Sequence, residues 1–257
     1  MVIELSLLRQ IASVAAEQTL PRFRTMSLID NKFSTGFDPV TEADREAEKA
    51  IRKLINTRLP DHGILGEEFG GENLDHSHVW VIDPIDGTRA FISGIPVWGT
   101  LAGLTIEGDA VAGLMSQPFT NELFMCDGEA SWYEGPGGNR RLATRKTKEL
   151  ADATLFTTTP AMFKDNKRNA YDRVEQHVRL ARYGTDCYAY AMLAAGFVDL
   201  VIETGLHPYD IVALVPIIEK AGGVVSTWDG GPAEKAGDIV AAATPELHAK
   251  ALELLNH

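Results

Sequence analysis

Apolar residues at Ile3, Leu7, Leu8, Ile11, Val14 and Ala15 recur at helical spacing and predict a helix over 2–19, ended near Pro21. Residues 26–39, with Lys32, Gly36 and Pro39, read as irregular. A second stripe, Ala43, Ala47, Ile51, Leu54, Ile55 and Leu59, predicts a helix that starts on Thr41 and stops at Pro60. Asp44 lies three residues after Thr41, as in a capping box with Asp in place of Glu. Ile64 to Gly71, with Glu67 and Glu68 between glycines, reads as a loop. Val79 to Ile82 is β-branched or aromatic throughout and reads as a short buried strand, after which Gly87 and Thr88 open a helix or tight turn. Val97 to Ile106 and Ala110 to Met115 flank Glu107-Gly108-Asp109 as a hairpin. Leu123 to Cys126 and Ser131 to Glu134 form a second antiparallel pair.

Residues 135–149 turn glycine-rich and then basic, through Arg140, Arg141, Arg145, Lys146 and Lys148. They read as a solvated linker and set a boundary between residues 1–144, an α+β part, and 145–257, an α/β part. Beyond it strands and helices alternate. Strands are expected at 154–159, 178–183, 198–203, 224–228 and 239–243, and helices at 166–178, 187–197, 209–221 and 245–256. There is no repeat of solenoid period and no low-complexity tract.

The 257 residues carry 45% hydrophobic and 23% charged side chains, ordinary for a globular protein. A net charge of −12 argues against nucleic acid and anionic membranes as partners. Cys126 and Cys187 lie far apart without metal spacing, which favours a reducing, cytoplasmic setting. Glu4 and Arg9 interrupt the first apolar stretch, so it does not read as a signal peptide, and no run approaches the roughly 20 apolar residues of a membrane span.

Candidate chemistry centres on residues 79–91. Asp83 closes the buried strand, Pro84 keeps it out of the helical region, and Asp86 follows three residues later. Two such carboxylates repel unless a cation lies between them, and oxygen ligands without neighbouring Cys or His favour Mg2+. The N–H groups after Asp86 suit a phosphate. The competing reading is an acidic turn that caps a helix. Glu67 lies between the second helix and this strand, close enough in the chain to reach the same cation. Asp210 opens an apolar helix and also reads as a cap, Glu203 ends a strand, and His207 reads as a satisfied loop residue.

Asp44 in Val-Thr-Glu-Ala-Asp, Glu67 in Gly-Glu-Glu, Asp83-Pro-Ile-Asp86-Gly-Thr88 and Asp210 before a helix ending Ala-Gly-Gly follow one another in this order. The whole chain resembles the inositol monophosphatase family of Mg2+-dependent phosphomonoesterases. Within it, Gly87-Thr88-Arg89-Ala90-Phe91, the run from Arg182 to Tyr190 and His207-Pro208-Tyr209-Asp210 look most like the histidinol-phosphate phosphatase branch. Inositol phosphatases more typically carry Thr-Asn after Asp-Gly and Trp before the final Asp. Arg89 and Tyr209 depart from that pattern.

The resemblance implies a layered α-β-α-β-α sandwich of the inositol monophosphatase/fructose-1,6-bisphosphatase type, acting as a homodimer on a small phosphate monoester. It implies a first Mg2+ on Glu67, Asp83 and the Ile85 carbonyl, a second on Asp83, Asp86 and Asp210, and a third, weaker ion near Glu67. Thr88, near Asp44, would orient or deprotonate the attacking water, and the N–H groups of Gly87 and Thr88 would hold phosphate oxygens. The family's upstream lysine is matched only loosely, by Lys32. The leaving group is expected to meet Arg89, Thr185, Asp186 and Glu203. Two carboxylates there favour cationic histidinol over a neutral polyol, the other reading of Asp186 being a cap on the following helix. Inositol 1-phosphate or a broad range of monoesters is the alternative. Bisphosphate substrates would need more basic residues than Arg89 and Arg182, and a catalytically idle relative would lack some of these ligands.

Overall fold

The computed structural model describes residues 2–25, 29–31 and 39–257, so Lys32 lies outside the described residues. Helix α1 (Leu5–Thr19) buries Leu7, Leu8, Ile11 and Ala15 of the predicted stripe and also Ala12 and Thr19, while Val14 is half-buried and the buried Ile3 lies just before the helix. Where the sequence reads as irregular, β1 (Ile29–Asn31) and β2 (Pro39–Thr41) pair antiparallel. Helix α2 (Glu42–Arg58) starts on the predicted capping box: Asp44 Oδ2 accepts the Thr41 N–H at 2.8 Å, and Thr41 Oγ1 accepts the Ala43 N–H at 3.1 Å.

The stretch read as a loop is a hairpin of β3 (Gly63–Gly66) and β4 (Gly70–Glu72). Next come β5 (His78–Asp86) and the short helix α3 (Thr88–Ile92). A meander follows, of β6 (Gly99–Ile106), β7 (Asp109–Gln117), β8 (Glu122–Cys126), β9 (Ser131–Glu134) and β10 (Arg140–Arg141). These strands form an eight-stranded sheet ordered β10-β9-β8-β7-β6-β5-β3-β4, antiparallel except at β3 and β5.

The rest of the chain builds a second sheet. Its elements are β11 (Thr154–Thr157), α4 (Asp165–Glu175), β12 (Leu180–Tyr183), α5 (Asp186–Ala194) and β13 (Leu200–Leu206), then α6 (Pro208–Ile211), α7 (Leu214–Lys220), β14 (Val224–Thr227), β15 (Gly237–Ala242) and α8 (Pro245–Asn256). The order is β12-β11-β13-β15-β14, parallel among the first three strands and antiparallel beyond.

One expected helix is two. Residues 209–221 break at Val212–Ala213 because Pro216 has no N–H for the Val212 carbonyl and its ring crowds that carbonyl. The break lets the backbone lie against the first sheet. A Cβ at Gly103 would fall 2.6 Å from the Ala213 nitrogen, and one at Gly113 would fall 2.2 Å from the Ala213 carbonyl oxygen.

Alternation along the first sheet serves two cores. Ala102 and Leu114 pack with Trp80 and Ile82 against α1 and α2. Their neighbours Leu101 and Met115 face the other way, onto Leu193 of α5 and Ile217 of α7, and through these to Val201 and Ile239 of the second sheet. The outer face of that sheet, with Leu155, Leu200 and Val240, is covered by Tyr171 and Val174 of α4 and Leu247 and Ala251 of α8. The five layers are therefore α1/α2, sheet, α5/α7, sheet and α4/α8. Among the described residues no helix is long and apolar enough to cross a membrane.

Candidate metal centre

Asp83 is 2% exposed near the end of β5 and accepts the Ile85 N–H at 3.0 Å. In a regular strand residues three apart face opposite sides. Here the register shifts between Asp83 and Asp86, and the Thr100 hydroxyl pins the Pro84 carbonyl at 2.8 Å. This irregularity turns both carboxylates to one place.

Asp210, in the first turn of α6, accepts the His207 N–H at 2.7 Å, so it is a cap as well as part of the cluster. Asp83, Asp86 and Asp210 each bring one oxygen within 4.8 Å of the others. Glu67 is placed beside them by its N–H, which extends the pairing of β3 by donating to the Ile82 carbonyl at 3.1 Å.

The electrostatics suit a bound cation. Burial, then the charges of Glu67, Asp86 and Asp210, push the Asp83 carboxyl well above the usual range. Burial, then Asp186 and Asp210, do the same for Asp86. Asp44 is pushed up to about 6, mainly by burial and also by Glu67, against the pull of the Thr41 hydrogen bonds. Its Oδ2 is spent on Thr41, while its buried Oδ1 has no partner among the described residues. An all-oxygen set of crowded, mutually repelling carboxylates suits a hard divalent cation, so the residues present fit the implied ion.

Gly87, with φ +81°, turns the chain from β5 into α3, and a Cβ there would meet Asp186 Oδ2 at 3.1 Å. The Thr88 hydroxyl donates to the Ile85 carbonyl at 3.1 Å. That carbonyl keeps a second lone pair.

The two halves of the chain are joined at Asp86, whose Oδ2 accepts the Cys187 N–H at 2.7 Å. The cap of α5 at this N–H is thus Asp86, and Asp186, with φ +43°, points its carboxylate elsewhere. Asp186 lies 3.5 Å from the Thr158 hydroxyl. Burial raises its pKa, with Thr158 and the charge of exposed Arg89 opposing. Glu203, 2% exposed, accepts the Thr158 N–H through Oε1 at 2.6 Å. Its Oε2 and the Thr185 hydroxyl are buried without partners among the described residues. Burial pushes the Glu203 carboxyl up to about 8. The structure thus gathers the acidic residues predicted from the sequence, while Thr88 and Arg89 stand at the edge of the group.

Sequence reasoning missed Glu48, which holds the Glu67 turn. His207, read as a loop residue, is exposed and stacks on Tyr209 with ring centroids 5.1 Å apart.

A sequence model of the inositol monophosphatase family matches residues 4–257. The chain is similar to the chloroplastic bifunctional phosphatase IMPL2 of Arabidopsis thaliana, 44% identical over 84% of this chain and 65% of that protein's length. It is also similar to the histidinol-phosphatase of Mycobacterium tuberculosis, 33% identical over 98% of both chains. An inositol monophosphatase structure from Zymomonas mobilis superposes with a TM-score of 0.88 at 37% identity, over 98% of this chain and 97% of that one.

Proposed function

The chain belongs to the inositol monophosphatase family of phosphomonoesterases, and from that premise we propose that it hydrolyses histidinol phosphate to histidinol and phosphate with Mg2+. The observation that carries the substrate is the pair of acids beyond the metal cluster. Asp186 and Glu203 both meet Thr158, Glu203 keeps a buried oxygen without a partner among the described residues, and the charge of Arg89 acts on Asp186 from the exposed side. A leaving group with an ammonium and an imidazole brings positive charge and N–H donors to this acidic pair. A neutral polyol does not.

In this reading Glu67, Asp83, Asp86, Asp210 and the Ile85 carbonyl hold two ions, with a third, weaker one beside Glu67. Bound Mg2+ supplies Lewis acidity, lowering the pKa of a water and offsetting charge on the transferring phosphoryl group. Asp44, through Oδ1, and the Thr88 hydroxyl would orient the attacking water, and the Asp44 carboxylate would take up its proton. The N–H groups of Gly87 and Thr88 align phosphate oxygens, so that positioning and charge, more than covalent chemistry, lower the barrier. Thr185, Asp186 and Glu203 seat the leaving group, with Arg89 at the rim. The same reading places the protein in histidine biosynthesis in the cytoplasm as a homodimer, a state that light scattering tests.

The deciding experiment compares phosphate release from histidinol phosphate and inositol 1-phosphate, with and without chelator. Histidinol phosphate is expected to give the higher kcat/KM, and chelation to abolish release. Asp186→Asn should lower kcat/KM for histidinol phosphate by roughly tenfold relative to inositol 1-phosphate, the scale of a hydrogen bond to a charged group. Equal efficiency toward both substrates in the wild type would defeat the assignment. Alanine at Asp83 or Asp86 should cost at least about 10³-fold in kcat.

A further inference from the structure

Helix α5 begins in a strained conformation. Gly184 has φ +81° and Asp186 φ +43°, left-handed values that cost a residue with a side chain and persist only where neighbours impose them. Two ties hold this turn. One leaves the start of the helix: the Cys187 N–H, which has no intrahelical acceptor, donates to Asp86 Oδ2 at 2.7 Å. The other runs sideways: the Tyr188 hydroxyl donates to Glu122 Oε2 at 2.6 Å, the length of a bond to an ionised carboxylate.

Asp86 and Glu122 stand at the same end of the first sheet. The register sets Asp86 against Gly99, Thr100 against Ser116 and Gln117 against Glu122. Strands β6 and β7 separate β5 from β8, so the two strands that carry the anchors run roughly 14 Å apart. The start of α5 bridges that distance. Cys187 lies over β6, where a Cβ at Gly99 would fall 2.9 Å from its Sγ.

Glu122 is built to hold a position. Its carboxylate accepts three hydroxyls, from Tyr188, from Thr120 at 2.7 Å and from Tyr133 at 3.1 Å. A carboxylate only accepts, so all three O–H groups point inward and the Tyr188 ring is fixed at its tip. Phe124 meets that ring at right angles, with centroids 6.3 Å apart. The bond from Cys187 alone leaves the turn free to swing about it, and Asp86 free to follow. The bond from Tyr188 removes that freedom.

We propose that Tyr188, held by Glu122, is a positioning residue of the metal centre: it fixes the first turn of α5 against the end of the first sheet, so that the Cys187 N–H keeps Asp86 turned towards the ion. This rests on the metal reading of the acidic cluster and is independent of the leaving group.

Tyr188→Phe deletes the tie and keeps the ring. Tyr133→Phe takes a hydroxyl from the same carboxylate but donates nothing to α5, so it serves as the control. Both full-length variants are compared with the wild type by calorimetric titration of the metal-free protein with Mg2+, by amide hydrogen exchange in chelator, and by phosphate release as a function of Mg2+. Tyr188→Phe should bind Mg2+ about tenfold more weakly, the lower end of the effect of a partner that orients a ligand. Its Cys187 amide should exchange faster. The Mg2+ concentration for half-maximal release should rise by the same factor while kcat at saturating Mg2+ holds. Tyr133→Phe should match the wild type in all three. Wild-type Mg2+ affinity in Tyr188→Phe, or an equal loss in Tyr133→Phe, would make the bond a brace of the sheet and overturn the inference. If the wild type itself takes up no Mg2+, the metal reading falls. If it does, and Tyr188→Phe takes it up as tightly, only the positioning role falls.

Discussion

Asp44 shows how one side chain can hold two roles that a sequence cannot separate. Its Oδ2 closes the capping box with Thr41, while its Oδ1 is buried, unpartnered and within the field of Glu67. Asparagine can keep the carbonyl oxygen on Thr41 and place an amide where Oδ1 stood. Asp44→Asn should therefore leave stability within about 0.5 kcal/mol, whereas Asp44→Ala should cost about 1 kcal/mol through the lost cap. Both should lower kcat by on the order of 10²-fold or more, as loss of a proton acceptor does. Denaturant melts beside steady-state kinetics separate the two effects, and full activity in Asp44→Asn would reduce the residue to a cap. Capping was legible from Thr-x-x-Asp alone. The free second oxygen was not, because it depends on Glu67 arriving from a turn more than 20 residues away. Asp210 repeats the pattern: as a cap it is local, and only the fold brings it to Asp83.

At the scale of elements, the turn that carries Glu67 is held by α2. Glu48, 0% exposed and one turn beyond Asp44, accepts the Glu68 N–H at 2.7 Å, the Phe69 N–H at 3.3 Å and Arg52 Nε at 2.8 Å. Arg52 in turn donates to the Gly70 carbonyl. The fit is close enough that a Cβ at Gly66 would sit 1.9 Å from Glu48 Oε1. Glu48→Ala would leave two N–H groups and a guanidinium without their acceptor. It should cost about 2–4 kcal/mol. Loosening a support of this kind should also weaken Mg2+ binding about 10–100-fold, measured by calorimetry on protein that is still folded. Unchanged affinity would show that the turn holds its shape unaided. This hairpin read as a loop because β3 and β4 are short, and the glycines that look like breakers are required by contacts the sequence does not display. The long amphipathic stripes of α1 and α2 were legible for the opposite reason: their burial repeats over several turns. The break between α6 and α7 was signalled by Pro216, and the stripe around it concealed the signal.

The whole molecule places a strongly acidic site between two sheets in a chain that already carries a net charge of −12. Without a cation, burial and mutual repulsion hold Asp83 and Asp86 well above the usual carboxylate range, Asp44 up to about 6 and Glu203 up to about 8. The unfolded chain releases these protons near pH 4, where ordinary carboxyls titrate. Between about pH 4 and pH 8 these carboxyls thus hold more protons in the folded, metal-free protein than in the unfolded one, and their contribution to stability falls as pH rises, by more than His62 and His248, whose pKa values burial lowers, can offset near pH 6. Each proton so retained contributes a slope of about 1.4 kcal/mol per pH unit. Bound Mg2+ replaces the protons on the metal-binding carboxylates and removes that part of the slope, so binding releases protons and tightens with pH. Scanning calorimetry in chelator should therefore show a melting temperature that declines from pH 5 to pH 8. The increment produced by Mg2+ should grow over the same interval, and a Glu203→Gln chain, freed of its own buried carboxyl, should decline less steeply. A Mg2+ increment of constant size from pH 5 to pH 8 would mean that the carboxylates are already ionised in the empty protein. The layered fold would then tolerate their repulsion without help from protons.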